Sequence, residues 1–129
     1  MGFNDFTHVN AIDHGAVGST PAPEASQTAD YGQYLVSIAG CRDCHGEDLG
    51  GVVESQFGPP SPNLTQAGEL GSWTMDDFIT ALHTGQTPGN HTLDPEQMPW
   101  KGYGQMSDTE LGAIWLYLQS LPPKDFGNR

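Results

Sequence analysis

Five consecutive residues, Cys41-Arg42-Asp43-Cys44-His45, constrain this 129-residue chain more than any other feature. Two thiols two residues apart, with an imidazole directly after the second, admit four chemistries: part of a zinc site, a redox dithiol, a disulfide, or the attachment point of a haem. A structural zinc site needs four ligands, usually with a second pair at similar spacing. The chain holds 2 cysteines in all, and its other histidines form no paired ligand motif. A thioredoxin-like dithiol requires a βαβ frame, and no alternating strand pattern surrounds this one. A disulfide would employ the sulfurs and leave His45 without a role. The haem reading employs all three residues: the thiols add across the two vinyl groups, and His45 becomes the proximal ligand of the iron.

Composition agrees with a fold that leans on a cofactor. Only 36% of residues are hydrophobic, while 17 glycines and 10 prolines imply extensive loops; a small domain with a thin core commonly draws stability from a metal, disulfides or a bound group. The formal charge is −12, from 16 carboxylates against 4 basic residues. That balance excludes nucleic acid, which needs cations to displace its counterions, and argues against anionic lipid. It suits steering toward positively charged partners. No apolar run approaches the roughly 20 residues of a membrane helix, and the first eight residues lack the basic and apolar regions of a secretory signal.

The length corresponds to one domain. Residues 1–28 show no periodicity and end in a Pro/Ala/Ser/Thr stretch that reads as a tail or linker; His8 and His14 fall there and receive no role. A first helix is expected over 30–40, with Asp30 as N-cap, Tyr31, Tyr34, Leu35 and Ile38 on one face, and Gly40 as terminator. Residues 46–72 read as a long wrapping loop. A second helix is expected over 73–83, capped by Thr74, with Asp76 and Asp77 in its first turn, Phe78, Ile79 and Leu82 inward, and Thr84-Gly85 as its stop. A further loop runs over 85–106. The last helix opens with the capping box Ser107-Asp108-Thr109-Glu110, carries Leu111, Ile114, Trp115, Leu118 and Leu121 at helical spacing, and stops at Pro122-Pro123. With no strand signal, the class is all-α: three to five short helices and long loops. The domain spans 29–124, leaving 125–129 as a C-terminal tail.

A haem iron held by His45 needs a distal ligand, and electron-transfer proteins typically supply a methionine. Of 4 methionines, Met1 lies in the tail, Met75 reads as a surface residue in a helix's first turn, and Met106 as a packing residue before a cap. Met98 sits in a loop where Pro99 stiffens the chain and Trp100 can cover the haem edge, so Met98 is the expected second metal ligand. Its plain alternative is a gap-filling methionine. His91 is its rival, and His83 reads as a cationic cap at a helix C-terminus.

At this point the chain resembles a known family, the class I cytochromes c, in particular monohaem domains of bacterial respiratory chains and of periplasmic dehydrogenases. The resemblance rests on TyrGlyGlnTyrLeu (31–35) before the cysteine motif, ProAsnLeuThr (62–65), GlySerTrpThrMetAspAspPheIleThrAlaLeuHisThrGly (71–85), MetProTrp (98–100) and the segment from Met106 to Pro122. It implies one haem c joined through Cys41 and Cys44, and a Pro62 carbonyl that accepts the Nδ1–H of His45. It implies haem contacts from Asn63, Leu64, Trp73, Trp100 and Tyr103, with Asn63 and Trp73 donating toward the propionates or the methionine side; Trp73 also fits as a core aromatic. It implies a close crossing of the first and last helices at Gly32 near Tyr117. The family's lysine ring is absent, since Lys101 alone stands near that region, so docking must use a neutral or acidic face.

The function expected is one-electron shuttling between redox protein partners by a carrier with His45/Met98 ligation, without catalysis of its own. The alternative is a haem-based sensor with a labile or absent methionine ligand. Covalent attachment in the family implies a periplasmic or otherwise extracytoplasmic location, with a signal or anchor trimmed; a second expectation is a domain cut from a membrane-tethered or multidomain protein.

Overall fold

The computed structural model describes residues 23–53 and 60–124. The expectations for residues 1–22, with His8 and His14, and for residues 125–129 lie outside the described residues. The described residues hold five α-helices: α1 Ala29–Ala39, α2 Cys41–His45, α3 Met75–Thr84, α4 Trp100–Tyr103 and α5 Asp108–Ser120. A 3-10 turn, Glu69–Ser72, precedes α3. No strand occurs among the described residues, only isolated bridges at Val52–Ser61 and Gln86–Thr92. The all-α expectation holds.

The scaffold is the crossing of α1 and α5. A Cβ at Gly32 would be driven into the Ala113 carbonyl and would sit 2.9 Å from Tyr117 Cβ, so only glycine lets the backbones approach this closely. Tyr31, Leu35 and Val36 from α1 meet Leu111, Ala113, Ile114, Trp115, Tyr117 and Leu118 from α5, joined by Phe78, Ala81 and Leu82 of α3. Trp115 and Phe78 pack ring to ring at 5.7 Å. Removing this apolar surface from water is the main favourable contribution to folding.

Helix ends follow their local chemistry. Two capping boxes are complete: Thr74 with Asp77, and Ser107 with Glu110. Gly40 and Gly85 take left-handed backbone and close α1 and α3, donating to Val36 and Ala81. Three expectations need correction. The cap of α1 is Thr28, whose hydroxyl accepts from the Tyr31 amide, in place of Asp30. Ile38 is 63% exposed; the buried face of α1 consists of Tyr31, Gly32, Leu35 and Val36. Met75 is half-buried against the core, where Gln27 Nε2 reaches its sulfur at 3.6 Å. Gln27 also lies over Gly112, so packing begins two residues before α1.

Among the described residues no helix is long and apolar enough to cross a membrane.

Candidate haem site

The cysteine motif forms a helix of its own. Gly40, at φ 75°, breaks α1 and lets the chain restart at Cys41, so α2 leaves the α1–α5 crossing in a new direction. Both cysteines are free thiols: Cys41 is half-buried and Cys44 exposed. Burial, opposed by its backbone hydrogen bond and by Arg42, pushes the Cys41 thiol above its ordinary value. Arg42 faces away from the thiols. It donates to the Tyr117 hydroxyl at 2.6 Å, lies over that ring, and donates through Nε to the Glu47 carbonyl at 3.0 Å. These bonds clamp α2 to α5. Sequence reasoning missed Arg42 because the two positions between the cysteines carry no signal of their own.

His45 is buried, with Nδ1 2.9 Å from the Pro62 carbonyl oxygen. A carbonyl can only accept, so Nδ1 carries the proton and Nε2 keeps its lone pair. Burial holds the imidazole below its ordinary pKa, while the Pro62 carbonyl pulls the other way. The ring is therefore neutral at neutral pH, the form a metal ligand requires. No buried side-chain nitrogen or oxygen lacks a partner among the described residues, and Nε2 has none, so Nε2 opens onto accessible space.

Several bonds fix the Pro62 carbonyl. Val52 and Ser61 exchange both backbone bonds at 2.9 Å, Leu64 N–H donates to Leu49 at 2.8 Å, and Gly51 N–H donates to His45 at 2.9 Å. The Ser61 hydroxyl donates to the Cys44 carbonyl. Leu49 is fully buried yet has φ 61°, a conformation non-glycine residues rarely adopt. Its strain is held by the turn that brings the Pro62 loop back over His45. Neither Ser61 nor Leu49 was recognisable in the sequence, since the hydroxyl's partner and the backbone turn both follow from the tertiary fold.

Asn63 is held by the polypeptide around it. It is buried, its Oδ1 accepts from the Thr65 amide and hydroxyl, and its Nδ2 donates to the Lys124 carbonyl at 2.7 Å. Its amide serves the loop and the segment after α5. Leu64 and Trp73 are half-buried against the core.

Met98 lies in a turn of hydrogen bonds: its amide donates to Asp94 at 2.8 Å, and Trp100 and Gly104 amides donate to Met98 and Trp100, each at 2.6 Å. The side chain is half-buried against the core. Trp100 rests on Gly85, and its indole N–H donates to Leu93 at 2.9 Å. The Tyr103 hydroxyl donates to the Ala39 carbonyl at 2.9 Å. Burial raises its pKa, with further contributions from the Cys41 and Cys44 thiols and Asp43. His91 is exposed in the turn before Met98. His83 is no cap of its own helix: Nδ1 bonds the Gly104 carbonyl and Nε2 bonds Asp108, both at 2.8 Å.

Residues 29–122, well over half of the chain, match the Cytochrome c family. The chain belongs to the cytochrome c family. Haem c, held covalently, is the cofactor of this cytochrome c, and electron transfer is its function. It is 29% identical over 116 residues to the cytochrome c subunit of a quinone alcohol dehydrogenase from Gluconobacter oxydans (strain 621H), a match spanning 83% of this chain and 24% of that protein. It is 28% identical over 107 residues to the cbb3-type cytochrome c oxidase subunit CcoP of Helicobacter pylori (strain 52), a match spanning 83% of this chain and 32% of that protein. The matches thus span about a quarter to a third of these relatives.

The residues of this cytochrome c fit the cofactor. The donor set offers two unpaired thiols and a neutral imidazole with an accessible Nε2. Leu64, Trp73, Leu93, Met98, Trp100 and Tyr103 stand on the core with apolar area still uncovered, as an apolar macrocycle would need.

Proposed function

We propose that this domain carries one electron at a time between respiratory redox proteins on the outer side of a bacterial cytoplasmic membrane, with haem held by Cys41 and Cys44 and ligated by His45 and Met98. The observation that carries the reading is the His45–Pro62 bond, which fixes the imidazole tautomer next to two free thiols. The bound haem would supply reversible one-electron chemistry. The polypeptide's part is to hold and to exclude: Pro62 fixes the ring and tunes its basicity, and Arg42 and Ser61 hold the motif against α5 and the loop. Leu64, Trp73, Trp100 and Tyr103 supply apolar cover, and Met98 a thioether. Asn63 supports this site through the loop.

No other catalytic grouping is needed, which makes the domain a carrier. Its partners are read from its relatives, which are components of a dehydrogenase and an oxidase; the domain would relay electrons into or out of such a complex, tethered or as part of a longer chain. Docking would use a surface without a lysine ring. The test is the absorption spectrum of the purified protein, ferric and then reduced. Sharp α and β bands, with the weak far-red band of ferric iron bound by a thioether, are expected. Haem bands without the far-red band, together with carbon monoxide binding at neutral pH, would transfer the reading to a ligand-binding sensor. A protein without a Soret band, matured alongside the attachment machinery, would end it.

A further inference from the structure

The segments bearing the two proposed axial ligands are far apart in sequence, and the polypeptide joins them directly. Residues 94–106 form a unit closed by the bonds of Met98, Trp100 and Gly104. That unit is fastened to α3 and its cap, by Gly104 to His83 and, just before it, by Leu93 to Gly85. On the other side lies α1, whose last carbonyls, like those of any helix, lack intrahelical donors. The Tyr103 hydroxyl crosses 64 residues of sequence to bond one of them, Ala39, two residues before Cys41. Among the described residues no second hydrogen bond joins residues 94–106 to residues 29–45.

We infer that Tyr103 is a positioning residue: its hydroxyl, bound to the Ala39 carbonyl, fixes the Met98 turn against the helix end that launches the cysteine motif. This assignment rests on the proposed Met98 ligation for its consequence, but not for its geometry. It replaces direct haem hydrogen bonding as the use of this hydroxyl, because the single proton is already committed. Tyr103 keeps its ring at the site and spends its polar atom on the backbone. Gly40 makes the anchor effective: the chain turns sharply there, so a donor fixed to Ala39 is referred directly to the start of α2.

The test uses the haem-loaded protein and Tyr103→Phe, which keeps the ring and removes the hydroxyl. Backbone hydrogen exchange at Met98, Trp100 and Gly104 is expected to quicken about three- to tenfold, the worth of one hydrogen bond, while α5 amides keep their rates. The ferric protein is expected to bind added imidazole tighter by a similar factor, as a thioether on a looser turn is displaced more easily. Tyr117→Phe, which removes the hydroxyl bound by Arg42, is expected to leave exchange at Met98, Trp100 and Gly104 unchanged. Unchanged exchange in Tyr103→Phe overturns the assignment, as does equal quickening in α5 or in Tyr117→Phe. A wild-type protein lacking the far-red band would sink Met98 ligation instead, and the exchange data would still decide the role of Tyr103.

Discussion

Asn63 illustrates how a residue expected at the site is also bound into the polypeptide. Its side chain occupies the Thr65 amide and hydroxyl and the Lys124 carbonyl, and Thr65, fully buried, bonds the Lys124 amide in turn at 3.1 Å. Asn63→Ala would strand several buried polar groups, so we expect a loss of about 2–3 kcal/mol in denaturant unfolding. An unchanged reduction potential would mean that the amide serves the chain alone; a large shift would show that its second N–H also reaches the haem. The sequence could identify Cys41, Cys44 and His45 because three demanding residue types at fixed spacing leave few chemistries. It could not show what Asn63 does, because an amide's partners depend on which segments the fold brings near. The same holds for Ser61 and Arg42, whose bonds to Cys44 and Tyr117 follow from the tertiary structure alone.

At the scale of elements, periodicity and caps were good guides where helices are long, and failed where they are short. The capping box at Ser107 and Glu110 announced α5 to within a residue. Thr74 announced α3, although its reciprocal partner Asp77 reads in sequence only as a favourable charge. The 3-10 turn at Glu69–Ser72 and the helix Trp100–Tyr103 are four residues each, too short for a period to show. Gly32→Ala tests the main crossing. The added methyl would meet the Ala113 carbonyl, and we expect a cost of about 3 kcal/mol or more, read as a lower denaturant midpoint with an unchanged slope. The link between α3 and α5 has a pH signature. Both nitrogens of His83 face groups that only accept, so the ring is bound as imidazolium, and its pKa is raised chiefly by the Asp108 bond. The stabilisation is whole below the ordinary value of 6.5 and fades as pH climbs through the raised value in the folded protein. His83→Gln should therefore lower the melting temperature in mildly acidic buffer and make little difference in alkaline buffer. The pair is exposed, so the gap should not exceed about 1 kcal/mol; a gap that widened with pH would contradict the imidazolium.

Across the whole molecule, the charge of −12 governs encounters. Oxidation of the reduced protein by a cationic metal complex should slow as salt is added and that by an anionic complex should quicken, by about tenfold in stopped-flow traces between low and moderate ionic strength. Equal salt dependence for both would mean that the electron leaves through a locally neutral face. Class and cofactor were legible at this scale; the way the chain closes on itself was not, since it depends on pairings such as Gly32 with Ala113 and Asn63 with Lys124. Those pairings also set an order of events during synthesis. Cys41, Cys44 and His45 leave the ribosome well before α5, so Leu35 and Val36 wait for their α5 partners, and Asn63 and Thr65 wait for Lys124. A chain made from its N-terminus thus offers both thiols before the α1–α5 crossing can form, and closes around them only once α5 has followed.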